Sequence, residues 1–192
     1  MTAAQAVRLR AVLLDPLEAQ RIDVAGSVDA AVLAPLYERE DGELCAVFIK
    51  RHADLRLHAG QISFPGGRHE PGDADLTATA LREAHEEIGL HPDAVDLLGA
   101  LTPTPTIVSD IAIYPVVGLI RRPTGWSPAD GEVDAILEAP LRTLAATHRL
   151  LALERNGQRV VSDAYTIGSE TIWGATGRIL TDLLVRFAAL PA

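Results

Sequence analysis

Apolar positions recur along this chain in two rhythms. Unbroken apolar runs at 30–37 and 44–49 flank the polar stretch 38–43, which predicts two buried strands paired as a hairpin. Over 76–88 the spacing lengthens to three and four, with Ala80, Leu81, Ala84 and Ile88 gathered on one face, and predicts an amphipathic helix stopped at Gly89. The glycine- and charge-rich stretch between them, 50–75, reads as loop. Further apolar runs at 95–101, 111–120, 133–137, 150–153 and 160–167 predict strands, with proline-containing breaks at 103–105 and 122–128. The run at 179–190 predicts a closing helix. At the start, Val7, Leu9, Val12, Leu13 and Leu17 predict a short helix over 4–21, broken by Pro16.

Strands on both sides of a central helix, with another helix at the end, place the chain in the α/β class, as an α/β/α sandwich around a mixed β-sheet. No repeat, low-complexity stretch or linker divides it. The expected organisation is an N-terminal helical extension over 1–27 and a single globular domain over 28–192.

Composition narrows the function. The 192 residues are 48% apolar, enough for one sizeable core. A net charge of -9 and a pI near 5.1 oppose binding to nucleic acid or an anionic membrane, so an anionic ligand must be met by a local basic patch or a metal. Cys45, the only cysteine, lies in an apolar run, which excludes an intrachain disulfide and a cysteine-rich zinc cluster and predicts a buried, inert thiol. Arg8, Arg10, Asp15 and Glu18 interrupt the first twenty residues, so a signal peptide or membrane span is not expected there and a cytoplasmic protein is.

The helix at 76–88 carries the candidate chemistry. At about 100° per residue, Glu83, Glu86 and Glu87 fall within one arc of about 100° beside the apolar face. Like charges at this spacing destabilise a helix by roughly 0.2–0.5 kcal/mol per pair, and no Lys or Arg stands four residues C-terminal to any of them. A divalent cation would reverse that repulsion. Oxygen-only ligands suit Mg²⁺ or Mn²⁺, which bridge to substrate phosphates. Two glycines in Phe64-Pro65-Gly66-Gly67 allow the main chain to approach a ligand closely.

Gly67 and Arg82-Glu83-x-x-Glu86-Glu87-x-Gly89 resemble the Nudix box, the signature of hydrolases that cleave pyrophosphate bonds. The resemblance implies a Nudix fold and divalent metal held by Glu83, Glu86 and Glu87, joined by the Gly67 carbonyl. It also implies that Arg82 orients a glutamate through an ion pair; the identity of the general base stays open. One departure is visible. Asp73 follows Gly67 after five residues, where the box has glutamate, and eight residues instead of seven then precede Arg82. Asp73 and Asp75 are the stand-ins for that first acid.

Positive and titratable groups concentrate before the box: Lys50, Arg51, His52, Arg56, His58, Arg68 and His69, in a chain with no other lysine. Arginine suits phosphate through its planar fork. The spacing Arg51-x4-Arg56-x3-Gly60-x3-Phe64-Pro65-Gly66-Gly67 resembles the signature of the coenzyme A pyrophosphatase branch of the Nudix family, with His52 in place of a small residue. Tyr114-Pro115 to Gly118, Glu132-Val133 and Trp173 to Leu180 extend that likeness over roughly 28–185. It implies hydrolysis of coenzyme A or an acyl-CoA to adenosine 3′,5′-bisphosphate and 4′-phosphopantetheine or its acyl form. Arg51 and Arg56 become the candidates for phosphate contact, with Gly66 and Gly67 also against the substrate. Trp173 reads as a helix-start anchor before an adenine platform, and 102–106 as either a loop over the site or a rigid connector.

Two other functions remain open on the sequence: a Nudix hydrolase of ADP-ribose or NADH, and a Nudix domain that senses a nucleotide without cleaving it. The expected partner is a small-molecule substrate, with no nucleic acid and no membrane, and the apolar termini are compatible with a homodimer.

Overall fold

A computed structural model describes residues 3–55, 58–106, 110–155 and 158–189. In chain order these form α1 (Ala3–Val12), α2 (Pro16–Ala19), β1 (Val28–Glu38), β2 (Leu44–Arg51), β3 (Ile62–Ser63), β4 (Gly66–Arg68), α3 (Leu76–Ile88), β5 (Val95–Ala100), β6 (Thr104–Pro105), β7 (Ile111–Ile120), β8 (Val133–Pro140), α4 (Leu141–Ala146), β9 (Arg149–Arg155), β10 (Gln158–Ile167), β11 (Glu170–Ile172) and α5 (Gly174–Ala188). A single 3-10 turn, Pro92–Ala94, leads into β5.

The predicted hairpin is β1 and β2, paired antiparallel with Leu36 opposite Ala46. On its other side β1 runs parallel to β7, from Val28 opposite Ile111 to Leu36 opposite Leu119, which makes the sheet mixed. The path is β3-β2-β1-β7-β5, with β4 added to β1, β6 to β7 and β8 to β2. β1 and β2 read as unbroken apolar runs because both faces are covered. Ala34, Leu36, Ala46 and Phe48 point into a core with Leu9, Leu144, Ile179, Leu180 and Leu183 of α1, α4 and α5. The alternate positions Ala31, Leu33, Val47 and Ile49 pack on Ala80, Ala84 and Ile88 of α3. This is the expected α/β/α layering, with α3 on the face opposite α1 and α5.

Several elements differ from the sequence expectation. The N-terminal helix is broken as expected at Pro16, which starts α2, but α1 already ends at Val12, and Asp15 caps α2 by accepting from Leu17 N and Glu18 N. The stretch 50–75 holds β3 and β4, too short and glycine-rich to show an alternating pattern. β8 continues to Pro140 and is followed by α4. The closing helix begins at Gly174, five residues before its apolar run. Its first turn lies backbone-close to β10, where a Cβ on Gly177 would meet the Asp163 carbonyl, so small residues occupy it. Trp173 stands at the N-cap of α5, the helix-start position. Segment 102–106 is a connector tied to the α5 side: Thr102 N donates to Asp182 at 2.8 Å, and Arg178 donates to the Pro105 carbonyl. Cys45 is buried and free. Among the described residues no helix is long and apolar enough to cross a membrane.

Candidate active site

Helix α3 is fixed at both ends by its sequence. Asp75 is the N-cap and accepts from Ala78 N at 2.8 Å, and Gly89 closes the C-terminus in the left-handed region at φ 71°. With Ala80, Ala84 and Ile88 against the sheet, the acidic side of the helix meets the incoming chain at 65–73.

The three glutamates occupy unequal environments. The Glu86 side chain is 56% exposed, whereas Glu87 is only 3% exposed. Glu87 Oε2 accepts from Gly66 N at 2.8 Å, and its Oε1 lies 3.5 Å from Arg51 Nη1. Burial pushes the Glu87 carboxyl up to about 7, against the opposing effects of the Gly66 N–H and Arg51; the Glu83 and Glu132 carboxylates push the same way as burial. Burial also raises Glu83, with Arg82 opposing. The Glu83 carboxylate lies so close to Gly67 that a Cβ there would strike it, and Glu83 would have to leave its place beside Arg82.

Arg82 binds all of its neighbours at once. Nε and Nη2 donate to the two Asp73 oxygens at 2.9 and 3.1 Å, and Nη2 also donates to the Arg68 carbonyl at 3.1 Å. Nη1 bridges Glu83 Oε1 at 3.0 Å and Glu86 Oε2 at 2.9 Å. Asp73 is held well below the usual carboxylate range, chiefly by the Arg82 hydrogen bonds. The two acids proposed from sequence therefore separate: Asp73 meets Arg82, and Asp75 caps the helix.

Glu83, Glu86, Glu87, Arg82, Gly66, Gly67 and Arg51 are thus brought together. Arg56 lies outside the described residues. Lys50 is sent to the other face of β2, where Nζ pairs with Glu170 at 2.7 Å. Thr79 was not singled out from the sequence. It is fully buried, donates to Asp73 Oδ2 at 2.8 Å and lies 2.9 Å from His69 Nδ1. Its only sequence signal is a polar residue one position from the apolar stripe.

Among the described residues no three His, Cys, Asp or Glu side chains are grouped to hold a metal ion as they stand. The donor set nevertheless fits a hard cation. A cationic nitrogen already bridges Glu83 and Glu86, and among the described residues the four carboxylates Asp73, Glu83, Glu86 and Glu87 pair with two guanidinium groups, Arg51 and Arg82. One divalent ion would balance that excess.

This fold, with a glycine strand laid over an acidic helix, defines a class. Residues 28–156 match the NUDIX domain, and the chain belongs to the Nudix hydrolase family, whose members act on pyrophosphate bonds of nucleoside diphosphate derivatives and generally use divalent metal such as Mg²⁺. Among individual proteins, it is 36% identical over 173 residues to an uncharacterized Nudix hydrolase NudL of Enterobacter sp. (strain 638), with 88% of each chain covered. It is 38% identical over 164 residues to the NudL of Pectobacterium atrosepticum, with 84% of each covered. In fold it resembles a MutT/nudix family protein from Enterococcus faecalis, with a TM-score of 0.60, 13% identity and coverage of 98% of this chain and 70% of that one. It also resembles the Nudix hydrolase RenU of M. smegmatis, with a TM-score of 0.60, 15% identity and coverage of 88% and 91%.

Proposed function

We propose that the protein hydrolyses the diphosphate of coenzyme A or an acyl-CoA, giving adenosine 3′,5′-bisphosphate and 4′-phosphopantetheine or its acyl form. The observation that carries this reading is that the two ends of the motif whose spacing resembles the coenzyme A branch, Arg51 and Gly66-Gly67, both lie against the acidic helix. Arg51 lies beside Glu87, Gly66 N–H holds Glu87, and Gly67 seats Glu83.

Glu83, Glu86 and Glu87 would hold Mg²⁺ or Mn²⁺, with the Gly67 carbonyl. When bound, the ion would neutralise charge on the diphosphate and activate water for attack on phosphorus. Around it the chain's own groups have separate tasks. Arg82, anchored by Asp73, fixes the orientation of Glu83 and Glu86. The Gly66 N–H fixes Glu87, and a carboxylate of the set takes the proton from the attacking water. Arg51 supplies positive charge next to Glu87.

The test is hydrolysis of CoA, acetyl-CoA, ADP-ribose and NADH side by side with Mg²⁺ or Mn²⁺, with products identified by mass. Release of adenosine 3′,5′-bisphosphate from CoA is the expected result. Cleavage of ADP-ribose or NADH alone would keep the chemistry and overturn the substrate, and binding without turnover would favour a sensor.

A further inference from the structure

Strand alternation separates the cations that are adjacent in sequence. Lys50 leaves β2 on the face away from α3 and is neutralised by Glu170. Arg51, in step with Val47 and Ile49, emerges on the α3 face. Its main chain is clamped: Arg51 N donates to Gln61 O at 3.0 Å, and its carbonyl accepts from Gly60 N at 3.1 Å. On the other side, β8 carries one extra residue opposite the Lys50–Arg51 step, since Lys50 pairs with Ala135 and Arg51 with Val133. The bulge bends β8 and increases the local twist where the ladder ends beside Arg51.

The guanidinium so positioned is not used up by the protein. Its ion pair with Glu87, at 3.5 Å, is loose beside the roughly 2.7–2.9 Å of a charge-assisted hydrogen bond. Its Nε is buried with no hydrogen-bond partner among the described residues. Buried donors are paired almost without exception in folded proteins, so an orphan beside a reaction centre points to a group that arrives from outside. A planar fork with spare N–H groups selects a phosphate.

We propose that Arg51 binds the scissile diphosphate of the substrate, and is not a reader of a phosphate far from the cleaved bond. An anion held by this guanidinium lies within one side chain of Glu87, and so at the hydrolytic centre. The inference rests on the reading of α3 as that centre, and it does not depend on coenzyme A being the substrate. The 3′-phosphate of coenzyme A is then recognised by other groups.

The experiment compares Arg51→Lys and Arg51→Gln with wild type on CoA and on 3′-dephospho-CoA, which differ only in the distal phosphate. Arg51→Lys keeps a charge beside Glu87 and guards against misfolding, which the thermal midpoint checks. The expected result is a loss of about 10²-fold in kcat/KM, equal on the two substrates, together with weakened binding of inorganic pyrophosphate in calorimetry. Loss confined to CoA would assign Arg51 to the distal phosphate and overturn the proposal, as would unchanged values on both. If neither CoA substrate is cleaved, the coenzyme A reading fails on its own. NADH and NADPH, which likewise differ by one distal phosphate, then decide the role of Arg51.

Discussion

Glu87 shows how burial, more than residue type, sets the chemistry of the site. Its carboxyl is pushed to about 7, above the roughly 4.3 of the unfolded chain. Folding therefore favours its protonated form. The stability this contributes is complete below about pH 4 and is lost as the pH rises through about 7. Without divalent metal, the thermal midpoint of wild type minus that of Glu87→Gln should fall across that window, and added Mg²⁺ should reverse the fall. A flat difference would contradict the assigned burial. Asp73 acts in the opposite sense, because its lowered carboxyl contributes stability that is lost only in acid, as the pH falls below the ordinary carboxylate range. The identities of the three glutamates were legible in their spacing. Their inequality was not, because it depends on β4 laying Gly66 and Gly67 over one end of the arc.

Helix α3 carries both a capped N-terminus and the proposed catalytic carboxylates, and two aspartates two residues apart serve the two ends of that arrangement. Asp75→Ala removes the N-cap and should cost about 1 kcal/mol, a shift of roughly 2–4 °C in thermal midpoint, with metal affinity unchanged. Asp73→Asn removes the anchor of Arg82 and should weaken metal binding by about 10–100-fold, as loss of an orienting partner does. Calorimetric titration with Mn²⁺ on both variants distinguishes the roles, and exchange of the two effects would refute the assignment. The helix limits were legible in the apolar stripe and Gly89, which are local signals, whereas the capping role of Asp75 emerged only from the structure. The choice between Asp73 and Asp75 was not legible, because it turns on the reach of Arg82 across the loop. Strands β3 and β4 were hidden for a similar reason. Their pairing is set by β1 and β2, and two or three residues carry no period of their own.

Across the whole molecule, the helix at the N-terminus is packed into the same core as the closing helix. Leu9 is 2% exposed, Leu14 bridges to Ala100, and Arg186 donates to the Val12 carbonyl at 2.7 Å. Leu9→Ala should therefore destabilise the entire domain by about 2–5 kcal/mol in denaturant unfolding, with one transition; a negligible effect would mark the segment as a detachable extension. Layer order followed from the alternation of strand and helix patterns, while the parallel pairing of β1 with β7 joins residues some eighty positions apart and left no local trace. The proposed role of the α3 carboxylates in metal-dependent diphosphate hydrolysis is decided by CoA turnover with wild type and Glu87→Gln, each with Mg²⁺ and with EDTA. Turnover in wild type that EDTA abolishes, and that Glu87→Gln lowers by about 10²–10⁴-fold, is the expected result. Hydrolysis that persists in EDTA, or that the variant retains in full, would contradict the account.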